Sequence, residues 1–213
     1  MKRLTIPALA LTAALALSGC GAGPDESPGA TAGASPTTPS GTEPATGSAA
    51  EISAEHNDAD VMFAQMMIPH HEQAVQMSET LLAKDLVPQD VRDLAERVAE
   101  TQAPEMERMR AMLAAWDAPE TPDASATEHG GHGSGMVDEA GMERLRETEE
   151  GPEAAELYLQ QMTEHHEGAV DMAQDQLDRG VNPEAVELAR EIVRAQETEI
   201  EEMRTMLEEL RTS

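Results

Sequence analysis

One eleven-residue pattern occurs twice in this chain. Met67-Ile68-Pro69-His70-His71-Glu72-Gln73-Ala74-Val75-Gln76-Met77 returns 95 residues on as Met162-Thr163-Glu164-His165-His166-Glu167-Gly168-Ala169-Val170-Asp171-Met172. The shared frame, Met-x2-His-His-Glu-x-Ala-Val-x-Met, uses four of the seven histidines in the protein. A second match follows each copy. Leu94-Ala95, Val98, Gln102, Glu105, Met109, Met112 and Leu113 correspond, at a spacing of 94, to Leu188-Ala189, Ile192, Gln196, Glu199, Met203, Met206 and Leu207. The repeat unit is therefore a pair of segments, and the one-residue change of spacing falls between them.

Both segments read as helix. Leu94, Val98, Met106, Met109 and Leu113 recur at spacings of three, four and eight, one face of a helix, and the helix formers Ala, Leu, Met, Glu, Gln and Arg dominate. Phe63, Trp116 and Tyr158 are the only aromatic residues, so strand-like runs are missing. A helical hairpin cannot cover its own apolar face. Two of them, about 57–116 and 152–210, are expected to pack as an all-α four-helix bundle. A solenoid would need three or more units. The expected helices run from Asn57 or Asp58 to about Lys84, from Gln89 or Asp90 to near Trp116, from Gly151-Pro152 to about Asp178, and from Glu184 to about Leu210. A short helix is expected over Met136 to Thr148. Pro104 is expected to interrupt the second helix, and Pro69 to bend the first.

The ends of the chain suggest where it works. Lys2 and Arg3 precede an apolar run from Leu4 to Leu17, which closes on Leu17-Ser18-Gly19-Cys20. That is the layout of an export signal, and the run is too short to span a bilayer. Leu-Ser-Gly-Cys resembles a bacterial lipobox, which implies removal of residues 1–19 and a diacylglyceryl anchor on Cys20. Residues 20–51 are rich in Gly, Ala, Ser, Thr and Pro and are expected to form a disordered tether. Residues 52–213 remain for one domain, with a His- and Gly-rich loop over 117–137. Cys20 is the only cysteine, so the mature protein has neither an internal disulfide nor a thiolate metal site. With 14 basic against 42 acidic residues the net charge is −28, and loss of Lys2 and Arg3 makes it more negative still. Nucleic acid is thereby excluded as a partner, and the membrane is expected to be met only through the lipid anchor.

Imidazole and thioether are the neutral donors suited to soft or borderline metals. On a helix, Met67 neighbours His70 and His71, Met66 neighbours His70, and His70 neighbours Met77. Met162, His165, His166 and Met172 repeat most of this. Met106, Met109, Met203 and Met206 are further sulfur donors on the partner helices. His129 and His132, in a Gly-rich tract, are a separate candidate pair, although a plain linker explains them as well. Gln102, Glu105, Gln196 and Glu199 are placed to hydrogen-bond the imidazoles, either as partners of structural histidines or as orienters of ligating ones. The methionines alone are equally ordinary core fillers. His56 has no assigned role.

Asn57-Asp58-Ala59-Asp60-Val61-Met62-Phe63, then Met66-Met67-Ile68-Pro69-His70-His71, then Gln102-x2-Glu105-Met106-x2-Met109 together resemble the DUF305 family. These are exported bacterial proteins with a ferritin-like helical bundle, some of them implicated in binding copper. The resemblance covers about residues 55–116 and 136–210. It departs in the second unit, where Ala155 stands for Asp60 and Gln161 for Met66, leaving fewer candidate ligands there.

Thioether with imidazole favours Cu(I), with Ag(I) as a mimic and Cu(II) also accepted. Mg or Ca would want an oxygen cage. A di-iron bundle needs Glu-x-x-His on two helices, and here Met67, Ile68, Met162 and Thr163 occupy the positions three before each histidine. The expectation is a lipid-anchored, extracytoplasmic copper-binding protein that sequesters or relays the ion without catalysis. It would use Met67, His70, His71, Met77, Met162, His165, His166 and Met172. The alternative is a helical scaffold or partner-binding lipoprotein whose histidine pairs are structural, with a ferritin-like redox enzyme a third reading.

Overall fold

A computed structural model describes residues 52–122, 135–149 and 151–212. Five helices make up its regular structure: α1 (Asp58–Leu82), α2 (Gln89–Ala115), α3 (Glu139–Glu147), α4 (Pro152–Arg179) and α5 (Pro183–Thr212). No strand occurs among the described residues. The leader, Cys20, the tether, and the loop histidines His129 and His132 lie outside the described residues. No described helix is long and apolar enough to cross a membrane.

Local chemistry sets each boundary. Asn57 caps α1 by accepting from the amides of Ala59 and Asp60, while the Asp60 carboxylate accepts from the Asn57 amide, closing a capping box. Pro152 opens α4 at a position where its missing N–H costs nothing. Asn182 caps α5 by accepting from the Ala185 amide at 3.0 Å, directly ahead of Pro183. Asp138 does the same for α3 through the Gly141 amide.

The expected break at Pro104 does not occur: α2 continues through it. Pro104 and Glu100 are both exposed, so the carbonyl deprived of its donor faces water and the penalty shrinks. The helix α1 is likewise continuous through Pro69, which also sits on the solvent side.

The hairpins α1–α2 and α4–α5 pack against one another chiefly along α1 and α4, with α3 lying across both. The core falls into two apolar clusters. One gathers Met77 and Leu81 of α1, Leu94 and Val98 of α2, Tyr158 and Met162 of α4, and Met203 and Leu207 of α5. The other gathers Phe63 and Met67 of α1, Met109 and Leu113 of α2, Ala169 and Ala173 of α4, and Leu188 and Ile192 of α5. Each of the four long helices runs from one cluster to the other, and α1 and α4 do so in opposite senses. Residues 70–71 and 165–166 thus meet in the layer between the clusters.

The ends of this arrangement are tied by polar contacts. Buried Asp60 accepts from Gln176 Nε2 at 2.6 Å and from the amides of Val181 and Asn182 at 3.2 Å, joining the start of α1 to the α4–α5 turn. At the other end the hydroxyls of Ser78 and Tyr158 pair at 2.9 Å. Burial drives the Tyr158 phenol well above its ordinary pKa, with the Ser78 hydrogen bond opposing. On the surface, Arg97–Glu202 and Arg108–Glu191 link α2 to α5.

Candidate metal centre

All four motif histidines are buried to within 1% of complete exclusion from solvent. A bundle core of this kind ordinarily holds aliphatic side chains, and a buried polar group costs free energy unless it is paired. The pairing here is two-fold symmetric. His71 Nε2 meets Glu105 Oε2 of α2 at 2.8 Å, and His166 Nε2 meets Glu199 Oε2 of α5 at 2.8 Å. Both carboxylates lie at the rim of the bundle, their side chains 18% and 12% exposed. Each can therefore keep some hydration while it holds a ring inside.

Between these two pairs lie the inner rings. The rings of His70 and His165 meet across the α1–α4 contact with centroids 3.7 Å apart and planes inclined by 35°. His165 lies 6.4 Å from its neighbour His166, inclined by 51°. Neither nitrogen of His165 makes a hydrogen bond of good geometry, nor does Nδ1 of His71 or of His166. Gln102 and Gln196 enter the same layer from α2 and α5, fully enclosed. Their side-chain carbonyls are also unmatched, so these two glutamines do not receive the imidazoles as the sequence suggested; the glutamates do.

Electrostatics keeps the inner ring uncharged. His165 is held well below the usual imidazole pKa, first by burial and then by repulsion from His70, His166 and His71, with a weak opposing pull from the His70 backbone. A neutral imidazole retains a lone pair and can act as a metal ligand.

The methionines sort by side of the layer rather than by motif. Met67 belongs to one cluster with Met106, Met109 and Met112, and half-buried Met172 packs against it. Met77 and Met162 belong to the other, with Met203 and Met206. Ten residues of helix rise about 15 Å, so Met67 and Met77 cannot touch one ion together. The antiparallel crossing instead puts a thioether from each hairpin on each side of the histidines. Met66 is half-buried on α1. The eight donors therefore do not converge on a single point, and among the described residues no three His, Cys, Asp or Glu side chains are grouped tightly enough to hold an ion by themselves.

Three residues have roles that the sequence reading missed. Asp60, counted there as a ligand position lost from the second unit, is a structural acceptor far from the histidines. The Asn57-x2-Asp60 spacing of a capping box was the available signal. His56 stacks on Trp116 with centroids 5.0 Å apart and planes 13° from parallel, at the end of the bundle. Gln73 holds Val137 through both its amide groups, at 2.7 and 2.9 Å. Against the facing helix α4, the turn residue Gly135 takes φ +81° and lies so close that an added Cβ would meet the Glu164 carbonyl at 2.6 Å. The C-terminal end of the His- and Gly-rich loop is thereby fastened beside the histidine layer.

A duplicated helical hairpin closed on a buried, methionine-flanked histidine layer defines the class of this protein. The chain belongs to the DUF305 family, a domain of unknown function whose model matches residues 60–207. It is similar to a DUF305 protein from Streptomyces coelicolor, at 39% identity over 71% of this chain and 92% of that one, with a TM-score of 0.66. A DUF305 fragment from Deinococcus radiodurans is 34% identical over 72% and 97% of the two chains, with a TM-score of 0.64. CopM, solved in a Cu(I)-bound form, is 27% identical over 70% and 96%, with a TM-score of 0.58. CopM has also been solved with Cu(II) and with Ag. No curated protein matches the chain.

Proposed function

We propose that this protein binds copper, taking up Cu(I) through imidazole and thioether donors, and stores or relays the ion without catalysing a reaction. One observation carries the reading: bare imidazole nitrogens, walled by thioethers, buried where a stable core would place hydrocarbon. Unmatched buried polar atoms are costly, and a soft cation is a partner that would match them. The donor set suits it, since both donor types are neutral and neither needs deprotonation by the protein. Similarity to CopM, which has Cu(I)-, Cu(II)- and Ag-bound forms, points to the same chemistry. The residues that would hold the ion are His70, His71, His165 and His166, with Met67 and Met172 on one side and Met77 and Met162 on the other. Ag(I) is the expected mimic.

We place the protein outside the cytoplasm, tethered through a lipid on Cys20. The leader and lipobox-like residues support this, and the similar Streptomyces coelicolor chain is named as a candidate secreted protein. An anaerobic Cu(I) titration of the full chain is the test. Replacing all four histidines with Ala is expected to lower the stoichiometry by at least one ion, and an unchanged stoichiometry would refute the assignment.

One observation favours a scaffold instead. His71 and His166 already have carboxylate partners, and the ring of His70 lies against that of His165. If the layer serves packing alone, Cu(I) and Ag(I) will leave the melting temperature where it was.

A further inference from the structure

Resting on the copper-binding reading, we infer that Glu105 and Glu199 fix the tautomers of His71 and His166, making Nδ1 the nitrogen that each ring presents to the ion. A carboxylate offers only lone pairs, so the imidazole nitrogen facing it at 2.8 Å must carry the hydrogen. In both pairs that nitrogen is Nε2. The other nitrogen, Nδ1, is buried in each ring and has no hydrogen-bond partner. A hydrogen there would be stranded without an acceptor. Each outer ring therefore carries its hydrogen on Nε2 and a buried lone pair on Nδ1.

The two hairpins reach this state independently and identically. Glu105 lies on α2 and Glu199 on α5, and each reaches back to the second histidine of its own hairpin. Each carboxylate also limits ring rotation, because turning the imidazole over about Cβ–Cγ would put Cε1–H where Nε2–H now donates and lose the hydrogen bond. Glu105 and Glu199 are thus positioning residues: they touch no ion, yet they decide which atom is available to one. No glutamate holds either nitrogen of His165 in this way.

Long-range nitrogen–proton correlation spectra of the histidine-labelled full chain, free of metal, read the tautomers directly. Two rings are expected to show a protonated Nε2 and a bare Nδ1. Glu105→Gln and Glu199→Gln keep the shape but can donate as well as accept, so each is expected to abolish the single tautomer at its own ring only. Added Ag(I) is expected to move the Nδ1 resonances of the two rings in the unaltered chain. The Gln variants are expected to bind Ag(I) about 10- to 100-fold more weakly, the usual cost of losing such a partner. Protonated Nδ1 in the metal-free chain, or tautomers indifferent to the Gln replacements, would overturn the inference. So would Ag(I) bound at full stoichiometry with Nδ1 unmoved. Failure to bind any Ag(I) would overturn the copper reading and the donor role of Nδ1, while the metal-free spectra would still decide the tautomers.

Discussion

The middle of the bundle and its two ends treat the sequence repeat in opposite ways. In the middle the repeat is kept: His71–Glu105 and His166–Glu199 have the same atoms at the same 2.8 Å separation. At the ends it is discarded. Asp60 and Gln176 form a polar tie whose counterparts, Ala155 and Leu81, are apolar, and Ser78 with Tyr158 has Ala173 and Phe63 as its counterparts. Either chemistry holds the helices together, so the ends answer to stability alone. A buried polar layer retained in both hairpins is not something stability asks for. On the proposed copper-binding reading, stability belongs to the ends and ion binding to the middle.

The sharpest way to break that division is to remove one polar tie. Asp60→Ala strands Gln176 and several backbone amides in the interior, and each buried donor left without its acceptor costs about 1–3 kcal/mol. Denaturant unfolding should show this loss, while Ag(I) stoichiometry under folding conditions stays unchanged. A change in stoichiometry would mean that the ends and the middle are not separable.

Ion binding should stabilise through the middle. At 100-fold excess over its Kd, Ag(I) adds about 2.7 kcal/mol, or about 5–10 °C in Tm for a domain of this size. Replacing the inner rings with His70→Leu and His165→Leu should remove most of that shift. His165→Leu alone, without metal, should be about as stable as the original chain or more so, because neither ring nitrogen of His165 has a hydrogen bond of good geometry to lose. A large destabilisation would transfer the layer to the structural side of the comparison.

Smaller effects sharpen the account of the ends. Tyr158→Phe loses the Ser78 hydrogen bond and should cost about 1 kcal/mol at neutral pH. Burial raises the Tyr158 pKa in the folded state, so above about pH 10 the unfolded chain ionises while the folded one does not. Stability contributed by the neutral phenol is lost as pH rises through that region. The gap between Tyr158→Phe and the original chain should therefore close above pH 10, as read by urea midpoints. Smallest of all, Arg97→Ala removes an exposed α2–α5 ion pair and should change stability by no more than about 0.5 kcal/mol.

Much of this was legible in the residues. The hairpin repeat follows from the two matched segments, and Asn57, Pro152 and Asn182-Pro183 mark helix starts within a residue or two of where they fall. Glu105 and Glu199 were found because a repeat at matched spacing must place them alike. What could not be read was how the second hairpin sits on the first. The antiparallel crossing of α1 and α4 decides that Met67 faces the side of Met172 and Met77 the side of Met162, and no periodicity within one helix encodes it. Pro104 misled for a related reason. Its penalty depends on whether the orphaned carbonyl faces water, and that is settled by packing. Asp60 looked like a ligand because an acidic side chain near a histidine motif carries no label for the turn it will meet.

Copper K-edge absorption on the Cu(I)-loaded full chain tests the central claim most directly. A mixed first coordination sphere of imidazole nitrogen and thioether sulfur is expected, with the nitrogen contribution reduced when His71 and His166 are replaced. A sphere lacking either nitrogen or sulfur, or one unaltered by those replacements, would contradict it.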